Sequence, residues 1–198
     1  MIKLDENFIF KPYLNFFDSE TQQNIMSYHQ HKDQLMAFTS QILQRYYLPH
    51  LYNISPMDLM IDFFKHHKPF VSAPAGLNCD FNVSHCFNYV AMAIYMGTDY
   101  TIGVDIEVVD PDIEVKELGA IVFSPSEMDL INNSTNSFFR LWTKKEALIK
   151  ALGTGFATNF YQDTQITLDD FEQTQDYCII TRQIGNYFLS VCWHKKQG

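Results

Sequence analysis

Long apolar runs are missing from this 198-residue chain. The longest, Tyr89 to Met96, falls far short of the roughly 18 residues that a membrane-spanning helix needs, so no bilayer-spanning segment is expected. Positive charge is scarce as well: 14 Lys+Arg stand against 23 Asp+Glu, for a formal net charge of −9. That balance argues against a broad nucleic-acid or anionic-membrane surface and leaves room only for a local basic pocket. Cysteine is sparse too. Cys79, Cys86, Cys178 and Cys192 form no C-x-x-C pair and no Cys/His spacing suited to tetrahedral zinc, and they read as reduced core thiols. The opening Met-Ile-Lys-Leu-Asp-Glu-Asn puts two acids before any apolar stretch and offers no small-residue cleavage site. It does not read as a signal peptide, and the cytoplasm is the expected address. What is present, 46% hydrophobic and 15% aromatic residues, suits a globular chain of one domain or two small halves.

The apolar positions of Leu35, Met36, Phe38, Ile42, Leu43, Tyr46 and Tyr47 recur at helical spacing and predict a helix over 32–47 that Pro49 stops. After Lys68-Pro69 and Ala73-Pro74-Ala75-Gly76, the run 81–84 alternates like a strand. The segment 89–96 reads as a buried strand, turning at Gly97-Thr98-Asp99 into 100–107 to make a hairpin. Ser124-Pro125-Ser126-Glu127 has the form of a capping box opening a short helix. A longer helix, 136–152, carries Phe138, Leu141, Trp142, Leu148, Ile149 and Leu152 on one stripe and ends at Gly153. Strands follow near 165–168, over 177–182 and over 187–194, the last two flanking a Gly185-Asn186 turn. Helix, short strand and hairpin thus occur twice. The expected architecture is α+β, two similar halves at 1–108 and 109–198, with 108–123 as an acidic linker and a ligand cleft between the halves.

Three clusters carry chemistry. In Gly103-Val104-Asp105-Ile106-Glu107, a period of two places Asp105 and Glu107 on one face of a strand. Paired carboxylates need a cation, a basic partner or water, and their hard oxygens suit Mg²⁺; a solvated polar face is the alternative. On the long helix, about 100° per residue puts Lys145 inside the apolar stripe, Lys144 on the opposite face, and Glu146 and Lys150 along one flank. The last two are either a surface i,i+4 pair or part of a set, a carboxylate and two ammonium groups, that meets an anionic substrate at the interface between the halves. Ser84-His85 lacks the geometry of a hydrolase dyad, since strand neighbours point apart, and suits phosphate or base contacts or a structural role. His29, His31, His66 and His67 show no ligand pattern.

Taken together, Lys68-Pro69, Phe81-Asn82-Val83-Ser84-His85, Gly103-Val104-Asp105-Ile106-Glu107, Phe123-Ser124-Pro125-Ser126-Glu127 and Trp142-Thr143-Lys144-Lys145-Glu146-Ala147-Leu148-Ile149-Lys150 resemble, in order, the blocks of the Sfp-type 4'-phosphopantetheinyl transferases. The resemblance implies a pseudo-dimer of two α+β halves. It also implies transfer of the 4'-phosphopantetheine arm of coenzyme A to a serine of an apo acyl or peptidyl carrier protein, with release of adenosine 3',5'-bisphosphate. By the same resemblance Asp105, Glu107 and Glu146 would hold Mg²⁺, with Asp105 also at the coenzyme, and Glu146 would accept the serine proton. Lys150 would stabilise phosphate charge, Lys145 would help bind the pyrophosphate, and Lys68, Ser84 and His85 would hold the nucleotide end of the coenzyme.

The sequence departs from the family at the start of the first long helix. There His31-Lys32-Asp33-Gln34 stands where an arginine is usual, with Lys32 a candidate substitute. Two other readings compete. One is a catalytically silent relative that binds nucleotide or carrier protein as an interaction module; every charged group that the chemistry calls for is present, which weighs against it. The other, a Mg²⁺-dependent nuclease built on Pro111-Asp112 and Glu114-Val115-Lys116, has its two pieces too close together and an acidic surface. A monomer is expected, because one chain makes both walls of the cleft.

Overall fold

A computed structural model describes residues 1–64, 68–155 and 166–196. Strand β1 (Ile2–Lys3) and helix α1 (Ser19–Ser27) precede α2 (His31–Ile42), which buries Leu35 and Phe38 against Phe10, Ile25 and Val90. The expected stop at Pro49 is corrected here. A π turn at Leu43–Tyr47 carries the chain directly into α3 (Leu48–Tyr52). The restart puts Pro49 in the first turn of a new segment, where its missing N–H costs nothing. Asn53, left-handed at φ 51°, ends the run instead.

Strands β2 (Met60–Phe63) and β3 (Pro69–Ala73) pair with each other, while β4 (Cys79–Cys86) and β5 (Tyr89–Met96) form a hairpin with β1 on the far edge of β5. Strand β6 (Tyr100–Val108) follows. The expected hairpin of 89–96 with 100–107 does not form. Instead β6 pairs along its whole length with β9 (Tyr187–Lys195), which pairs in turn with β8 (Tyr177–Ile184) and, beyond it, β7 (Phe171–Gln173). The expected boundary at 108 puts β6 with the first half, whereas its ladder belongs to the second. Alternation along a strand fixes which face is buried and says nothing of which neighbour takes its edge.

Helices α4 (Val115–Val122) and α5 (Pro125–Ile131) occupy the stretch expected as linker and the turn after it. Both bonds of the Ser124–Glu127 capping box are made. Helix α6 (Thr135–Leu152) starts on Ser134 and ends at Gly153, left-handed at φ 69°. It lies across β6 and β9, its Leu141 and Leu148 packed with Ile179 and Phe188. The strand expected near 165–168 lies partly outside the described residues, and Ile166–Asp170 is not strand. Among the described residues no helix is long and apolar enough to cross a membrane.

The two halves meet along β4 and β6. Ala91 and Ala93 of β5 pack there against Ile102, Val104 and Ile106 of β6. Strands β4 and β6 are not hydrogen-bonded backbone to backbone. Side chains at every second position of β4 serve instead: Asp80 Oδ1 accepts from Ile102 N at 2.8 Å and Asn82 Oδ1 from Val104 N at 3.1 Å. These two carboxyl and amide oxygens satisfy amide donors that burial would otherwise leave costly.

Candidate active site

The same row of β4 side chains reaches the acids of β6. Ser84 donates its hydroxyl to Asp105 Oδ1 at 2.9 Å, and Cys86 donates its thiol to Glu107 Oε2 at 3.2 Å. From the opposite side Lys150 of α6 reaches Asp105 Oδ1 at 2.6 Å and Ser84 Oγ at 3.2 Å. Serine, aspartate and lysine therefore converge from three elements and from both halves. Gly103 makes this approach possible. A Cβ there would stand 2.5 Å from Ala151 N and 3.0 Å from the Lys150 carbonyl carbon, so only glycine lets α6 lie so close to β6.

Asp105 is 3% exposed, and its second oxygen, Oδ2, is buried with no hydrogen-bond partner among the described residues. Burial raises the Glu107 pKa, and the charge of Asp105 raises it further; hydrogen bonds from Cys86 and Trp142 and the charge of Lys150 oppose the rise. Two carboxylates thus share one ammonium and leave an oxygen unsatisfied, a donor set that fits a hard divalent cation. The expected triad is a different matter: among the described residues no three His, Cys, Asp or Glu side chains are grouped closely enough to hold a metal ion, so Glu146 does not complete one with Asp105 and Glu107.

Beside this cluster opens a cavity of about 340 Å³, walled by Gln41 and Gln44 from the first half and by Glu146 and Lys150 from the second, with His85 and Lys68 between them. Glu146 is buried at its edge. His85 keeps an exposed face, yet the protein around it lowers its pKa and the nearby Lys150 charge lowers it further, which favours the neutral imidazole.

Two lysines, Lys145 and Lys32, lie elsewhere than the sequence suggested, and a third, Lys68, is already paired. Lys145, assigned by resemblance to the pyrophosphate, is 1% exposed and is not among the residues that line the cavity. Its ammonium meets Glu127 Oε2 at 2.6 Å and the Val122 carbonyl at 3.2 Å, with the Phe123 ring 5.2 Å away. The pyrophosphate assignment is therefore withdrawn: a charge in an apolar stripe found a buried carboxylate, and the capping-box Glu127 supplied it. Lys68 lines the cavity, but its ammonium is held by Asp80 at 2.7 Å and the Ala151 carbonyl at 3.3 Å. Burial lowers its pKa and Asp80 opposes that. Lys32 lies over the Phe87 ring at 4.1 Å and 3.7 Å from Glu6, outside the cavity lining. His66 and His67 lie outside the described residues.

The sequence reading missed Asp80, Asn82 and Cys86. Their signal was the period-two spacing 80, 82, 84, 86 on a strand whose partner also carries its acids at period two.

Two α+β halves joined along a seam, with acids from one strand facing a lysine on a helix of the other wall, define a pseudo-dimeric α+β fold. Residues 101–196 match the family model described as the 4'-phosphopantetheinyl transferase superfamily, and residues 6–96 match that of the 4'-phosphopantetheinyl transferase N-terminal region. The chain belongs to the 4'-phosphopantetheinyl transferase superfamily. It is 32% identical over 150 residues to 4'-phosphopantetheinyl transferase gsp of Aneurinibacillus migulanus, covering 71% of this chain and 60% of that protein. It is 34% identical over 160 residues to the L-aminoadipate-semialdehyde dehydrogenase-phosphopantetheinyl transferase of Schizosaccharomyces pombe, covering 72% of this chain and 60% of that one. To 4'-phosphopantetheinyl transferase Sfp of Bacillus subtilis it is 25% identical over 193 residues, covering 91% and 83%. The chain thus spans about 60% of the length of the first two relatives.

Proposed function

We propose that this protein transfers the 4'-phosphopantetheine arm of coenzyme A to a serine hydroxyl of an apo acyl or peptidyl carrier protein, and that Mg²⁺ assists. The observation that carries the reading is the convergence of Ser84, Asp105 and Lys150 across the seam, beside a cavity that both halves wall. The relatives' names supply the group transferred.

In this reaction the serine oxygen forms a bond to the pantetheine-side phosphorus while the diphosphate bridge breaks, and adenosine 3',5'-bisphosphate leaves with the bridging oxygen. The hydroxyl proton must go to a base. Glu146, which is buried and lines the cavity, would take it. Lys150 lines the same wall and bears on the phosphate charge as the bridge breaks. His85, favoured in its neutral form, and Lys68 border the space for the nucleotide end. Asp105 and Glu107 would hold the Mg²⁺, whose other oxygen ligands would come from the diphosphate and water. Bound there, the ion would neutralise diphosphate charge.

The test is to mix the protein with coenzyme A, Mg²⁺ and an apo carrier protein and to weigh the carrier by mass spectrometry. Wild type is expected to add one phosphopantetheine arm. Asp105→Ala, Glu146→Ala and chelation of Mg²⁺ are each expected to stop the addition while circular dichroism stays unchanged. An unmodified carrier across several carrier types would sink the proposal.

A further inference from the structure

The row of side chains along β4 divides into two pairs with different partners. Asp80 and Asn82 take backbone amides of β6 and so fix the height of that strand. Ser84 and Cys86 take one carboxylate each. On the Asp105 side, both Ser84 and Lys150 converge on Oδ1, which leaves Oδ2 buried and unpartnered. On the Glu107 side, the donors are Cys86 and Trp142.

We infer that Cys86 is a positioning residue. Its thiol proton holds Glu107 in the one orientation in which that carboxylate and the open oxygen of Asp105 face the same divalent ion. The inference rests on the proposed cation site at Asp105 and Glu107. A glutamate carboxylate turns about three side-chain torsions, and a donor of fixed height on β4, beside the Trp142 donor, narrows that freedom before any ion arrives. Second-sphere donors of this kind commonly change metal affinity by about 10- to 100-fold. Cys86 is suited to donate, because its Sγ lies 3.2 Å from Glu107 Oε2 on the strand that faces β6. Its half-buried site also keeps competing water donors few.

The experiment titrates Mn²⁺ into wild type, Cys86→Ser, Cys86→Ala and Cys86→Val, without coenzyme or carrier, and reads free Mn²⁺ by electron paramagnetic resonance. Alanine removes the donor, valine removes it while filling the space, and serine keeps a hydroxyl donor on a shorter bond. About tenfold weaker Mn²⁺ binding is expected in the alanine and valine variants, with serine recovering most of the loss. In the transfer assay, those two variants should need about tenfold more Mg²⁺ for half-maximal rate while kcat at saturating Mg²⁺ is kept. Unchanged Mn²⁺ affinity in either folded variant overturns the inference, and so does a wild type that binds no Mn²⁺. A wild type whose Mn²⁺ binding depends on the thiol but which modifies no carrier supports this inference and counts against the transferase.

Discussion

At the scale of single residues, glycine and lysine decide the site more than the acids do. Gly103 has no side chain because the backbone of α6 occupies the space one would need. Gly103→Ala forces the helix off the sheet or the strand off its register, and the obstructing atoms are backbone, which cannot rotate away. Overpacking of this sort typically costs about 1–3 kcal/mol, and a backbone clash belongs at or beyond the upper end. Urea unfolding of Gly103→Ala is expected to show a loss of about 3 kcal/mol or more, with Lys150 displaced and phosphopantetheine transfer lost. Stability within about 0.5 kcal/mol of wild type would mean that the close approach is not needed.

At the scale of elements, α6 departs from the amphipathic helix that its stripe predicts. Every residue from Thr143 to Ile149 is buried, because β6 and β9 cover one side and α5 and the Val122–Phe123 corner cover another. Both adjacent lysines must therefore find partners inside the protein. Lys145 takes Glu127; Lys144 takes Glu172 and the carbonyls of Thr167 and Asp169. Burial lowers the pKa of both, and the partner carboxylates oppose it. Removing one member of such a pair leaves a buried charge behind, at about 3–5 kcal/mol. Lys145→Met is expected to lose that much in denaturant unfolding, while the folded protein keeps its KM for coenzyme A. A KM raised tenfold or more with stability unchanged would return Lys145 to the pyrophosphate.

For the whole molecule, the seam is the feature on which everything else hangs. Two sheets abut with side chains standing in for a missing backbone ladder, so the joint depends on a few polar atoms. Asn82→Ala removes the acceptor for Val104 N and leaves that buried amide unpaired, a cost of about 1–3 kcal/mol. Amide hydrogen exchange at Val104 should accelerate by about tenfold or more in Asn82→Ala, while amides of the β8–β9 hairpin keep their protection. Equal acceleration across both sheets would show that the halves open together and not at the seam.

Much of this was legible in the chain. The capping box at Ser124, the helix ending at Gly153 and the β8–β9 hairpin around Gly185-Asn186 are local matters, settled by hydrogen bonds and torsions within a few residues. The pairing of Asp105 with Glu107 on one face is equally local, since period two belongs to any strand. Other outcomes depend on partners distant in sequence. That β6 joins β9 and not β5, that Lys145 finds Glu127 and that Cys86 meets Glu107 were all decided by tertiary packing. Periodicity tells which way a side chain faces. Only the assembled fold tells what stands opposite it, because edge pairing and buried-charge pairing are chosen by the free energy of the whole packed core.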